Sequence, residues 1–453
     1  MSAYTTEVQT DFLSVVGESR ATTDPAVCAG FAVDGVIPKI AVYPTYAEEV
    51  AEILRCAAAG DLTVIPCRNG TKLGIGAPPQ RYDIALSLKD MNQVWYYEPD
   101  DLVVSVEPGM KFADLQRFLA RHRLWIPLDP GGDERASVGG ILAANAAGPL
   151  RLLYGGPRDM VLGMKIATPD GRIVKTGGRV VKNVAGYDLA KLMIGSYGTL
   201  GVIVEATFKL YPQVARRATW IVDPGTLATA REIRRDLLGS FLHPMRMVLL
   251  NARAQRLLDR RFSSAGAHMP GTNFAIWIEA GGSDRVIARY ADDLGTLAAK
   301  HGASLQNIES ETAVGIWRQI ADFGAGLTGE EQAPTAVRAA LPIASGEDFL
   351  ASAETAAQAE GCEAIGLVQM GVGIVELRLS PEPRAPSPGL IETLRRAAVG
   401  LGGSLVVTRC PSELKAKVDV WGPPGDDFEM MRKLKAAWDH KSTLSPGRLV
   451  GGL

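Results

Sequence analysis

Between residues 67 and 203 the chain carries three glycine-rich loops, each next to a short apolar stretch. The first is Pro66-Cys67-Arg68-Asn69-Gly70-Thr71-Lys72-Leu73-Gly74. The second runs from Asp129-Pro130-Gly131-Gly132 through Ser137-Val138-Gly139-Gly140 to Asn145 and Gly148. The third runs from Lys182–Leu189 to Gly195-Ser196-Tyr197-Gly198-Thr199-Leu200-Gly201-Val202-Ile203. Glycine permits backbone angles and close approaches that other residues resist. Successive N–H groups in such turns form a concave nest for phosphate oxygens. Thr71 can add a hydroxyl, and Arg68 or Lys72 can offset anionic charge. One such loop reads equally as an ordinary turn, and the second equally as a small-residue helix. Three within 140 residues point to a long ligand lying against the main chain.

Periodicity supplies the frame. Val36–Tyr43, Leu62–Pro66, Asp83–Leu88 and Leu102–Glu107 read as short strands. Thr45 with Glu48 reads as a capping box opening a helix that ends at Gly60. Lys111–His122 is an amphipathic helix, and Pro130–Gly148 a long Gly/Ala-rich connection. Val161–Thr168 and Arg172–Thr176 flank a Pro-Asp-Gly turn and predict a hairpin. Val202–Tyr211 is a β-branched strand. From about Arg216 the glycine loops thin out. Helices Leu227–Leu238, Asp284–Lys300, Asp348–Glu360 and Leu390–Val399 alternate with strands Thr219–Val222, Arg246–Leu250, Asn273–Glu279, Ala364–Gln369, Gly373–Leu379 and Ser404–Thr408. This predicts helices over an antiparallel sheet. No internal repeat is convincing. Glu382–Pro388 is a Pro-rich loop, and helix Phe428–Asp439 leads to a Ser445-Pro446-Gly447-Arg448 tail.

Composition removes other classes. Forty-eight basic against 50 acidic residues give a net charge of −2, without the basic surface that nucleic-acid binding requires. Five scattered cysteines and no CxxC pair make a poor disulfide, zinc or iron–sulfur framework and suit a reducing compartment. No signal peptide or 18-residue apolar run is evident. The five histidines do not cluster. Gly324-Ala325-Gly326-Leu327-Thr328-Gly329 matches a dinucleotide fingerprint, but a helical pattern precedes it and Pro334 follows, so the strand–turn–helix context is missing.

Taken in order, the three loops resemble the flavin-binding domain of the vanillyl-alcohol oxidase (PCMH-type) family. The resemblance covers about Val36–Pro212 and the tail Asp439–Arg448. It implies an α+β fold: a PCMH-type FAD-binding domain of two α/β subdomains, then a cap with a ferredoxin-like antiparallel sheet. The expected divisions are 1–35 as an extension, 36–215 as the FAD domain, 216–425 as the cap, and 426–453 as a tail returning to the FAD domain. By the same resemblance Arg68, Asn69, Gly70, Thr71, Lys72, Leu73 and Gly74 hold the FAD pyrophosphate. Ser137, Gly139 and Gly140 lie along the ring and ribityl chain, and Pro130, Asn145 and Gly148 are further cofactor-binding candidates. Gly198, Gly201, Val202 and Ile203 support the ring and adenine side.

Within the family, Gly177–Leu189 with Gly195–Gly198 is similar to the E subunit of bacterial glycolate oxidases. That implies an FAD-dependent 2-hydroxy-acid dehydrogenase with partners: a catalytic flavin subunit and an iron–sulfur subunit. It implies a cytoplasmic place, with membrane contact only through partners. There are departures. Residues 67–79 contain no histidine, so FAD is expected to be non-covalent. The D subunit's H-x-G-D-G-N-x-H run is absent; the comparable stretch reads Val368–Glu376. The D subunit's Gly-Ser-Glu-Gly is Gly195-Ser196-Tyr197-Gly198, and Ser445 stands where Asn is usual. Arg378 is the candidate catalytic residue for a substrate carboxylate, because a guanidinium pairs with it at two points. Two alternatives stay open: a flavin-holding assembly subunit without turnover, and a stand-alone FAD oxidase of another alcohol.

Overall fold

The structure is a computed structural model of the 453-residue chain; it describes residues 12–132, 134–179, 187–262, 272–308, 310–323, 335–380 and 384–453. The stretches 180–186 and 324–329, which include most of the third glycine segment's lead and the fingerprint-like run, lie outside them.

The first layer is a four-stranded sheet in the order Ala21–Thr22, Ile40–Val42, Ile84–Ser87, Val64–Cys67. Its last three strands are parallel, with Ile40 and Val64 both opposite Ile84. Parallel neighbours need a crossover, which helix Ala47–Ala59 provides by burying Val50, Ile53, Leu54 and Ala57. The expected Thr45–Glu48 capping box is corrected here. Tyr46 is the N-cap, and the Thr45 N–H donates to Glu49 at 2.8 Å. Arg20 also donates to both Glu49 oxygens, at 2.6 Å each. A forked, buried carboxylate outcompetes an exposed one for the helix start.

A second, antiparallel sheet runs Val94–Glu98, Val103–Val106, Val202–Lys209, Val161–Ala167, Ile173–Gly177. Helix Val138–Ala143 packs on it and buries Val138, Ile141 and Leu142. The connection expected at Pro130–Gly148 therefore contains a helix, capped by Ser137 accepting the Gly140 N–H at 3.3 Å.

The cap is one eight-stranded antiparallel sheet: Ser304–Ile308, Arg216–Asp223, Phe274–Gly282, Arg246–Asn251, Ala364–Gln369, Ile374–Leu379, Thr335–Ala340, Ser404–Arg409. Ser304–Ile308, Thr335–Ala340 and helix Ala252–Phe262 are elements the sequence pattern did not indicate. With the two strands in place, and with Ala252–Phe262 as an added helix between strands Arg246–Asn251 and Phe274–Gly282 of the first half, the chain reads strand, helix, strand, strand, helix, strand twice over. The two ferredoxin-like units join where Arg246–Asn251 pairs with Ala364–Gln369. So an internal repeat exists, in architecture and not in residue pattern. On one face lie helices Leu227–Leu238, Asp284–Lys300, Gly346–Ala359 and Pro388–Gly400 over a continuous core including Ile233, Leu294, Phe349 and Leu394. Each such buried Leu or Ile contributes about 1.5–3 kcal/mol. On the other face, Ala252–Phe262 and Ser310–Asp322 cover part of the sheet around Trp277 and Trp317. The rest faces the glycine loops.

The tail locks the layers together. Leu444 bridges to Val64, extending the first sheet. Arg448 donates to the carbonyls of Leu73 at 2.5 Å, Ile75 at 2.6 Å and Ala77 at 3.1 Å. One buried guanidinium thus fixes the curve of the first glycine loop. Ser445 has φ 48, a left-handed conformation that Asn tolerates better than most side chains.

Candidate functional site

Two neighbouring cavities that share the lining residue Tyr197 lie where the glycine loops meet. The smaller, 90 Å³, is lined by Pro66, Cys67, Arg68, Gly198, Gly201, Val202 and Ile203, with Ser137, Gly139 and Gly140. The larger, 270 Å³, is lined by Asn69, Gly70, Thr71, Lys72, Pro130 and Gly148 below, and by cap residues above. Tyr197 borders both. A long ligand can therefore run from one to the other.

The walls are backbone because side chains will not fit. A Cβ on Gly139 would stand 2.8 Å from the Pro108 Cβ, and one on Gly148 would stand 2.3 Å from the Asp129 carbonyl oxygen. Gly70 and Gly198 have φ of 69 and 71. Leu73 and Asn145 are not among the lining residues. Leu73 packs on the core around Tyr82. Asn145, with φ 47, ends helix Val138–Ala143 in the left-handed conformation common at that place. Arg68 Nε is buried with no hydrogen-bond partner among the described residues, as suits a cation awaiting an anionic group in the smaller cavity.

The cap contributes side chains by strand alternation. Arg338 lies between Val337 and Ala339, both in the helix-side core, so it points the other way, into the larger cavity. Its register partner Glu376 does the same. Their ion pair is 2.8 Å, and the carboxylate beside it holds the Arg338 guanidinium above its ordinary range. Gln369, 4% exposed, also lines the cavity, and its Oε1 has no partner among the described residues. Lys72 faces them from below. Its Nζ is 3.3 Å from each of the carbonyl oxygens of Pro130 and Gly131, and burial pulls its pKa down to about 8.

Arg378 is elsewhere. Its Nε donates to the Phe323 carbonyl at 2.7 Å and its Nη2 to the Asp322 carbonyl at 3.1 Å. It is two residues from Glu376 on the same face, but the end of helix Ser310–Asp322 covers it, and it is not among the cavity-lining residues. Of the two arginines, Arg338 and not Arg378 lines the larger cavity. The signal was a lone arginine in the small, apolar run Thr335–Ala340, legible only once that run is known to be a strand.

Among the described residues no group of three or more His, Cys, Asp or Glu could hold a metal, and no helix is long and apolar enough to cross a membrane.

Fold and groove suit a flavin, and the comparisons with known proteins make the chain an FAD-dependent oxidoreductase with the PCMH-type FAD-binding fold. Residues 38–177 match the family model described as FAD binding domain. The chain is 25% identical over 422 residues to glycolate oxidase subunit GlcD of Bacillus subtilis, covering 91% of this chain and 89% of that one. It is 29% identical to D-lactate dehydrogenase of Archaeoglobus fulgidus, over 91% of each chain. Among solved structures, p-cresol methylhydroxylase with substrate bound shares the fold at a TM-score of 0.75 and 15% identity, covering 99% of this chain and 97% of that one. For 4-ethylphenol oxidase from Gulosibacter chungangensis the TM-score is 0.77 at 16% identity, with the same coverage.

Proposed function

We propose that this chain is the FAD-binding subunit of a dehydrogenase for small 2-hydroxy acids of the glycolate or D-lactate type, working with a catalytic flavin subunit and passing electrons to an iron–sulfur subunit. The observation that carries the reading is the cap-side cluster of Arg338, Glu376 and Gln369 over the glycine loops, in a chain similar along most of its length to a glycolate oxidase subunit and a D-lactate dehydrogenase.

Bound FAD supplies the two-electron acceptor. The chain's residues would do the rest. Arg338, fixed on one side by Glu376, presents its remaining N–H groups to the substrate carboxylate. The free Gln369 Oε1 accepts from the substrate hydroxyl. Pro130 and Gly148 leave room for the donor carbon to come close to the ring. The described residues lining both cavities include no histidine, which supports the reading that FAD is held without a covalent bond.

The absence of the H-x-G-D-G-N-x-H run, where the comparable stretch reads Val368–Glu376, favours a second reading, a flavin-holding subunit that turns over only inside its complex. One experiment tests both. The purified chain is loaded with FAD and mixed with glycolate or D-lactate without oxygen. Bleaching by the chain alone supports an independent dehydrogenase. Bleaching only with partner subunits present supports the second reading. No bleaching in either case rejects both. FAD that stays in solution when the protein is precipitated with acid supports the non-covalent link.

A further inference from the structure

The first glycine loop carries two cations, and the fold sends them to different cavities: Arg68 to the smaller, Lys72 to the larger. Among the described residues Lys72 is held by dipoles, two carbonyl oxygens at 3.3 Å. The charged groups that bear on it all come from the cap: Arg338, Glu376 and Asp322. Arg338 and Glu376 pair with each other at 2.8 Å and largely cancel. Asp322 accepts the Gly132 N–H. Arg135 and Arg409 also line the cavity, as does the phenol of Tyr197, which burial keeps protonated. Lys72 is therefore a desolvated ammonium with no carboxylate of its own. Burial without a partner disfavours the charged form, in keeping with the lowered pKa of about 8. Negative charge arriving in the cavity would stabilise that ammonium and be stabilised by it.

We propose that Lys72 is the group that balances the charge a bound flavin gains on reduction, and so sets how readily this site takes electrons. Oxidation of the donor carbon to a carbonyl would deliver its hydride, two electrons and one proton, to a bound flavin and release its hydroxyl proton to solvent, leaving one negative charge on the pyrimidine side of the ring. Lys72 keeps its proton and supplies the counter-charge. Charge near the ring is one of the main means by which a protein tunes a flavin.

The test uses the FAD-loaded chain and no alcohol donor, so its outcome is independent of the substrate reading above. Sulfite is the probe. Its sulfur forms a bond to flavin N5, and the displaced electron pair leaves negative charge on the same side of the ring. Wild type is compared with Lys72→Met, Lys72→Gln and Lys72→Arg. FAD content is read first from the visible spectrum. The neutral variants are expected to bind sulfite at least about tenfold more weakly, with a midpoint potential lower by about 30 mV or more, tenfold in a two-electron couple. Lys72→Arg is expected to stay within about threefold of wild type. Neutral variants that hold FAD and match wild type within about twofold in both readouts overturn the proposal. Loss of FAD from both neutral variants overturns it too, by making Lys72 a pyrophosphate anchor.

Discussion

Lys435 and Asp439, one helical turn apart, form a buried ion pair at 2.6 Å. The pair holds three parts of the chain. Lys435 Nζ also donates to the carbonyls of Thr199 at 2.8 Å and Leu444 at 2.9 Å. Asp439 accepts the Thr443 and Leu444 N–H groups, both at 2.8 Å. Removing one member leaves a buried charge without its partner, which costs about 3–5 kcal/mol. Asp439→Ala is expected to lower the thermal midpoint by several degrees and to weaken FAD binding, because Thr199 follows Gly198 in the groove. Melting curves with and without added FAD check this.

Gly140 faces the smaller cavity, and its added Cβ would meet only the Ser137 Oγ, at 3.3 Å. Gly140→Val therefore fills ligand space without forcing backbone apart. FAD affinity is expected to fall by about two orders of magnitude, while the FAD-free protein keeps its melting temperature within a few degrees, the range of a surface change. Fluorescence titration with FAD and calorimetry separate the two effects. An unchanged affinity would place the cofactor elsewhere.

Asp129 bridges the halves of the molecule. It accepts the Gly148 N–H at 3.1 Å and pairs with Arg246 of the cap at 3.2 Å. Burial raises its pKa to about 6, Arg246 opposing the shift. A carboxyl whose folded value is raised binds its proton more tightly in the native state. Its stabilising contribution is full below the ordinary carboxylate value and is lost as pH rises through about 6. Asp129→Asn is expected to flatten the melting temperature between about pH 4 and 6 relative to wild type. Parallel pH profiles that keep the wild-type slope would remove Asp129 from this role.

Arg338→Met should leave FAD content intact and lower kcat/KM for a 2-hydroxy acid by about a hundredfold or more, the scale of a lost charged hydrogen bond to substrate. Arg338→Lys should recover part of it, since a point charge replaces a planar fork. Equal loss for a neutral alcohol donor would show that Arg338 supports Glu376 and does not meet the substrate carboxylate.

The three glycine loops were legible because close main-chain packing needs a residue without a side chain, and the sequence records that need directly. The residues Arg68, Gly70, Gly139 and Gly198 do line the two neighbouring cavities. The cap side was not legible. Arg338 and Arg378 look alike in sequence, each a single arginine in an apolar run. Their difference comes from helix Ser310–Asp322, whose end covers Arg378 and stops short of Arg338. The capping box failed for a similar reason: Glu49 outranks Glu48 only because Arg20, 29 residues away, folds back onto it. The doubled strand–helix pattern was hidden because Ser304–Ile308 and Thr335–Ala340 are short strands without strong alternation.

Arg448 gathers the carbonyls of Leu73, Ile75 and Ala77 from a distance of more than 370 residues. The loop that would grip a nucleotide is thus unfinished while the ribosome is still translating the cap. The nucleotide grip in this fold therefore waits on a side chain translated after the whole cap.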